Sequence, residues 1–156
     1  MMALNMFQYV QNLTRQHQTH KVLELLQTFG VYVYSFPMNG LRGLYKCFEG
    51  CPTVFVDSQL SEREREFVLA HELAHHLFHS GLNRVFLDRC TFMKTDCYER
   101  EAQLFAACLL CPEPEEYILE GETIADLAHR TGFSQQVAKL YLIEYKKFAI
   151  KQNSYK

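Results

Sequence analysis

The segment that most constrains the fold runs from Phe67 to His79 and reads FVLAHELAHHLFH. It places one glutamate and four histidines in an otherwise apolar stretch. Burying this many imidazole and carboxylate groups costs free energy unless they are paired or bind a ligand. We therefore expect the fold to bring a partner to this segment from elsewhere in the chain.

His71, Glu72 and His75 form an H-E-x-x-H pattern within this segment. Ser61 and Glu64 have the spacing of a capping box, so the pattern is predicted to lie in the middle of a helix. Residues four apart on a helix lie about 40° apart around its axis and about 6 Å along it, so both imidazoles can reach one zinc ion. Glu72 lies about 100° away. That position suits a general base for the water that the metal activates. The alternative is a buried histidine pair satisfied by hydrogen bonds alone.

Two further histidines compete for the metal. His76 points about 100° away from His75, and we expect it to be partly exposed or to contact a ligand indirectly. His79 shares a face with His71 and His75, but the helix rises about 12 Å from His71 to His79, too far for one ion to span. We predict that His79 is a hydrogen-bond partner or a core residue and that the third ligand comes from another segment.

A catalytic zinc of this type needs a third protein ligand and an open position for water. The extended pattern, with a glycine three residues and a histidine six residues after the second histidine, is absent, because those positions hold Phe78 and Gly81. The helix predicted before Pro112 offers Glu99 and Glu101 instead. Helical periodicity does not separate these two glutamates.

Glu99 also has an interpretation that involves no metal. We predict this helix from about Asp96 to Cys111, which gives Asp96 and Glu99 the spacing of an N-cap and an N3 residue. Glu99 could then simply cap the helix.

The rest of the chain predicts one α+β domain. Residues 31–36, 41–48 and 53–57 are rich in β-branched and aromatic residues between turn signals, and are most simply three strands of an antiparallel sheet. The last part, residues 123–148, predicts two helices joined at Thr131 and Gly132, similar to a helix-turn-helix. We expect a core over residues 1–112, a helical C-terminal subdomain packed on it over 113–150, and a flexible tail over 151–156.

Composition excludes several functional classes. The 156 residues have 48% hydrophobic and 22% charged side chains, which is typical of a globular protein. The formal net charge of −2 gives the chain no overall electrostatic attraction to nucleic acid. In the second C-terminal helix, Gln135, Gln136 and Lys139 are candidates for contacts in a DNA groove, but they offer little positive charge, and we favour a structural or protein-docking role for this helix.

The first twenty residues lack the apolar run of a signal peptide, and no segment has 18 unbroken apolar residues. We expect a cytoplasmic protein without a membrane partner.

The cysteines are expected to be reduced thiols in that compartment. Cys108 and Cys111 form a C-x-x-C pattern, but there is no second such pair for a structural zinc. We interpret both as core thiols.

Two motifs together resemble the ImmA/IrrE family of metallopeptidases. REFVLAHELAHHLFH is similar to that family's R-x-F-T-x-A-H-E-x-x-H helix, and EREAQLFAACLLCP to its E-x-x-x-N-x-F-A-A-x-L-L-x-P helix. Counted back from Pro112, the family's metal glutamate falls on Glu99. Val68 stands where the family usually has Thr, and Gln103 where it usually has Asn. The resemblance covers roughly residues 20–145.

The resemblance implies a zincin-like fold of the gluzincin type, in which an HExxH helix and a glutamate-bearing helix lie beside a small sheet. It implies one zinc ion per chain, held by His71, His75 and Glu99, with Glu72 as the catalytic base. The implied function is an endopeptidase, of the type carried by phages and mobile elements, that cleaves a helix-turn-helix repressor. The alternative is a DNA-binding or repressor-sequestering regulator whose metal site is only structural.

Overall fold

The computed structural model describes residues 5–81 and 92–154, with side chains described from residue 96 onward in the second segment. These segments form a mixed α+β fold with seven helices and one three-stranded sheet. In chain order the elements are α1 (Met6–His17), α2 (Val22–Thr28), β1 (Tyr32–Phe36), β2 (Gly43–Phe48), β3 (Cys51–Asp57), α3 (Glu62–His79), α4 (Phe92–Leu110), α5 (Pro114–Tyr117), α6 (Ile124–Thr131) and α7 (Gln135–Asn153).

The sheet is mixed, so the prediction of an antiparallel sheet is wrong for one of its two pairings. Its strand order is β1-β3-β2: β2 pairs with β3 antiparallel, while β1 pairs with β3 in parallel. β2 and β3 form a hairpin, closed by Glu49 and Gly50 with φ of 48° and 82°, as a two-residue turn of the primed type requires. β2 occupies one edge of β3 through this hairpin, so β1 pairs with the other edge. The chain reverses direction between β1 and β2 and again between β2 and β3, so β1 runs in the same direction as β3.

α3 lies between the sheet and α4. The predicted capping box is present: the Ser61 hydroxyl accepts from the Glu64 amide, and the Glu64 carboxylate accepts from the Ser61 amide. One side of the helix buries Leu69 and Leu73 completely. α3 is thus fixed at its start by a cap and along its length by the core, so its histidines have a fixed orientation.

α4 begins earlier than predicted. It starts at Phe92, so Asp96 lies inside the helix and is not an N-cap. Glu99 is therefore two turns into α4, and the interpretation of Glu99 as a capping residue is wrong. Most of the loop predicted before this helix, and Cys90 within it, lie outside the described residues.

The C-terminal helices α6 and α7 are joined by the predicted tight turn. Thr123 and Asp126 form a capping box at the start of α6, Gly132 ends it with φ of 77°, and the Ser134 hydroxyl caps α7. The helix continues to Asn153, into the segment expected to be a tail.

α7 is anchored in the core by Tyr141, which is completely buried. Its hydroxyl donates to the backbone carbonyl of Cys111 at 2.7 Å. Phe7 of α1 packs against Tyr141 with 5.4 Å between ring centroids. Among the described helices, none is long and apolar enough to cross a membrane.

Candidate metal centre

Three side chains from α3 and α4 converge at one point. The Nε2 atoms of His71 and His75 lie 3.1 Å apart. The Glu99 carboxylate places Oε2 at 3.0 Å from His71 Nε2 and Oε1 at 3.3 Å from His75 Nε2. Spacing on α3 alone accounts for the two imidazoles, and the packing of α3 against α4 brings in the carboxylate.

The dimensions of this triangle fit a zinc ion. Donor atoms around a tetrahedral zinc with bonds of about 2.0–2.1 Å lie about 3.3 Å apart. The three separations here are 3.0, 3.1 and 3.3 Å. Two imidazole nitrogens and a carboxylate oxygen are also a donor set that zinc uses in catalytic sites. His71, His75 and Glu99 could therefore hold one metal ion.

The three donors differ in their exposure. The side chains of His71 and His75 are 16% and 4% exposed, whereas that of Glu99 is 44% exposed. The adjacent imidazoles of His71 and His75, at 3.0 and 3.3 Å, hold the pKa of Glu99 far below its usual range, so the carboxylate is ionised at neutral pH. The site is buried on the α3 side and open on the Glu99 side.

A cavity of about 440 Å³ lies on that open side, between α4 and α7. Side chains of both helices line it: Asp96, Glu99, Arg100, Gln103, Gln136, Lys139 and Leu140. Gln136 and Lys139, the sequence candidates for contacts in a DNA groove, thus border the space beside Glu99.

Glu72 is buried at 6% exposure on α3, one residue after His71. The backbone of β2 approaches it closely at Gly43. A Cβ atom at position 43 would lie 3.2 Å from Glu72 Oε1 and 2.4 Å from a methyl carbon of Val68. Glycine at position 43 therefore lets β2 lie directly against the part of α3 that carries Glu72.

His79 and Glu101 form a second pair next to the three donors. His79 is 8% exposed; its Nδ1 lies 2.9 Å from His75 Nδ1, and its Nε2 lies 2.9 Å from Glu101 Oε2. The predicted hydrogen-bonding role of His79 is confirmed, but the role of Glu101 was missed. The available signal was that a buried imidazole on the face of His75 needs partners for both ring nitrogens, and α4 carries a second acid.

His76 points away from the three donors, as predicted, and is partly exposed. Its Nδ1 lies 3.0 Å from the hydroxyl oxygen of Tyr45. Burial lowers the pKa of His76 and of His79, which favours their neutral forms.

The C-x-x-C cysteines are core thiols, as predicted. Cys108 and Cys111 are 1% and 3% exposed, and both are free. Burial raises the pKa of Cys108 well above its ordinary value and raises that of Cys111 to about 12, so both stay protonated at neutral pH.

Comparisons with known proteins identify the family to which this chain belongs. The family model for the IrrE N-terminal-like domain, a peptidase family, matches residues 26–142. The chain is 32% identical over 143 residues to uncharacterized immunity region protein 2 of Bacillus phage phi105, covering 89% of this chain and 90% of the phage protein. It is 26% identical over 133 residues to metallopeptidase ImmA of Bacillus subtilis (strain 168), covering 85% and 74% of the two chains. The matched segment includes the H-E-x-x-H helix, the glutamate-bearing helix and the sheet, and the chain belongs to the ImmA/IrrE family of metallopeptidases.

Proposed function

We propose that the protein is a zinc-dependent endopeptidase in which His71, His75 and Glu99 bind the metal and Glu72 is the general base. The observation that carries this proposal is the triangle of three donor atoms with sides of 3.0, 3.1 and 3.3 Å. A pair of histidines satisfied only by each other would not need an ionised carboxylate from a second helix at the same point.

The bound metal would supply Lewis-acid polarisation of the peptide carbonyl and a lowered pKa of the attacking water. Glu72 supplies the proton transfers: its carboxylate accepts a proton from the water as the oxygen bonds to the carbonyl carbon. It then returns that proton to the amide nitrogen as the carbon–nitrogen bond breaks. The burial of Glu72 against β2 holds its carboxylate in one place for both transfers.

The proposed substrate is a cytoplasmic regulatory protein, in particular a helix-turn-helix repressor of a phage or mobile element. The names of the two relatives support this, since one is a phage immunity region protein and the other a metallopeptidase. The cavity between α4 and α7 supports a docking role for the C-terminal helices, because Gln136 and Lys139 border the space next to Glu99.

The test compares the wild-type protein with Glu72→Gln. Each purified, zinc-loaded protein is incubated with candidate helix-turn-helix repressors from the same genome, and the products are identified by mass spectrometry. We expect the wild type to cleave the repressor at one defined bond. The cleavage rate of the variant should be about 10²–10⁴-fold lower, because the general base is removed. Zinc content and repressor binding should be unchanged.

Two outcomes would favour the alternatives. A repressor that stays intact while Glu72→Gln relieves repression as well as the wild type would indicate sequestration. A zinc-loaded protein that shifts operator DNA and leaves the repressor intact would indicate a DNA-binding regulator with a structural metal.

A further inference from the structure

We infer that His79 and Glu101 are positioning residues that fix the His75 imidazole so that its Nε2 presents a lone pair to the metal. The inference rests on the proposed metal site, and it concerns how this chain prepares one of the three ligands. It assigns a function to two polar side chains that neither the H-E-x-x-H pattern nor the Glu99 ligand requires.

Three side chains form a continuous chain of hydrogen bonds on the side of His75 away from the donor triangle. His75 Nδ1 lies 2.9 Å from His79 Nδ1, and His79 Nε2 lies 2.9 Å from Glu101 Oε2. His75 and His79 are 3% and 8% exposed, so bulk water does not compete for these ring nitrogens. Glu101 comes from α4, the same helix that carries Glu99.

The order of protons along this chain follows from its last acceptor. A carboxylate oxygen accepts hydrogen bonds, so at 2.9 Å the His79 Nε2–H is the donor to Glu101 Oε2. A neutral imidazole carries a single N–H, so His79 Nδ1 is then an acceptor. His79 Nδ1 then accepts a hydrogen bond from His75 Nδ1–H, which leaves the lone pair of His75 on Nε2.

This order has a consequence at the donor triangle. The His75 Nε2 atom, which then carries a lone pair, lies 3.3 Å from Glu99 Oε1 and 3.1 Å from His71 Nε2. Two acceptors held this close repel each other unless a cation or a proton lies between them. The chain from Glu101 thus prepares the site for a cation before the cation arrives. Outer partners of this kind fix the tautomer and orientation of a metal-binding histidine.

The first test is zinc affinity, measured by competition with a chromophoric chelator. His79→Leu fills a similar volume but removes the acceptor for His75 Nδ1. We expect one zinc per chain at saturation but at least about tenfold weaker binding, the range typical of lost outer-shell hydrogen bonds. His79→Asn restores an acceptor oxygen near the Nδ1 position and should recover most of the affinity. His76→Leu is the matched control: it removes the neighbouring histidine, which contacts Tyr45, and should bind zinc like the wild type.

Glu101→Ala tests the same chain from its other end and covers the case in which His79→Leu fails to fold. The Glu101 side chain is 30% exposed, so its truncation leaves little empty space in the core. We expect a loss of zinc affinity similar to that of His79→Leu. The zinc-loaded wild type is also examined by NMR with ¹⁵N-labelled histidine. The spectrum should show the proton of His75 on Nδ1 and that of His79 on Nε2.

Several results would overturn the inference while leaving the peptidase intact. The first is that His79→Leu or Glu101→Ala binds zinc as tightly as the wild type, while the wild type cleaves its substrate. The second is that His79→Asn binds zinc no more tightly than His79→Leu. The third is that the NMR spectrum places the proton of His79 on Nδ1. A wild-type protein that binds no zinc would overturn both this inference and the proposed function. Zinc titration of the wild type therefore separates the two failures.

Discussion

At the scale of single residues, Glu99 is the donor that joins α4 to the two histidines of α3. We predict that Glu99→Ala reduces zinc content from one per chain to nearly none after dialysis, because two imidazoles alone leave the ion largely hydrated. Elemental analysis of the dialysed protein measures this. Asp96→Ala is the matched control, since Asp96 is an exposed acid one turn earlier that borders the same cavity. Full zinc retention in Glu99→Ala would contradict the ligand assignment.

Gly43 sets how closely β2 approaches Glu72. In Gly43→Ala the new methyl group would lie 2.4 Å from Val68 and 3.2 Å from the Glu72 carboxylate, so one of them must move. We expect a loss of about 1–3 kcal/mol in the free energy of unfolding, as for other overpacked sites, measured by urea denaturation.

The double variant Gly43→Ala with Val68→Ala shows whether that loss comes from overlap. Removing the Val68 methyl groups makes space for the new side chain, so the two substitutions should couple and recover part of the stability. Simple additivity of the two losses would contradict the steric explanation.

The sequence predicts the residues of α3 better than their partners on α4. The spacing of His71, Glu72 and His75 is local, so it fixes their relative positions as soon as the helix is assigned. Glu99 and Glu101 lie two residues apart on one helix, and only the packing of α4 against α3 decides which histidine each one meets. Resemblance to a family chose Glu99, and the structure adds that Glu101 contacts His79.

At the scale of elements, the capping signal at Ser61 was reliable, whereas the predicted pairing of the strands was wrong for one pair. The capping box at Ser61 and the hairpin turn at Glu49 and Gly50 depend on neighbouring residues, and the first was predicted from sequence. The parallel pairing of β1 with β3 depends on which edge of β3 is free after the hairpin forms. A pattern of apolar residues within each strand does not contain that information.

The start of α4 shows how a local signal can mislead. Asp96 and Glu99 have the spacing of a capping pair, yet Asp96 lies inside a helix that begins at Phe92. Capping propensity is worth about 1 kcal/mol, so other interactions can extend a helix past a good capping residue.

The attachment of α7 depends on a buried hydrogen bond that can be tested. The Tyr141 hydroxyl donates to the Cys111 carbonyl, and Tyr141 is completely buried. Tyr141→Phe leaves that carbonyl without its partner, so we expect a loss of about 1–3 kcal/mol in the free energy of unfolding. Thermal and urea denaturation measure it. Tyr145→Phe, which removes an exposed hydrogen bond to Glu115, should change the stability by less than about 0.5 kcal/mol. Equal effects of the two substitutions would contradict this account.

At the scale of the whole molecule, α7 packs against α4 and against Cys111, which directly follows α4, and this contact contains buried groups that resist ionisation. Burial raises the pKa of Cys108 and of Tyr141, and raises that of Cys111 from 9.0 to about 12. In the unfolded chain these groups are hydrated and lose their protons at lower pH. Above pH 9 the unfolded state therefore binds fewer protons than the folded state, and the stability must fall as pH rises.

The pH dependence of unfolding tests this directly. For Cys111 the stabilisation is fully present below pH 9 and is lost progressively toward pH 12, at up to about 1.4 kcal/mol per pH unit. Urea denaturation between pH 8 and 11, with reductant present, should show a decline that becomes shallower in Cys111→Ala. Cys47→Ala is the control, because the Cys47 thiol is exposed in the folded protein and its removal should leave the slope unchanged. A slope that Cys47→Ala reduces as much as Cys111→Ala would place the titrating groups outside the contact of α4 with α7.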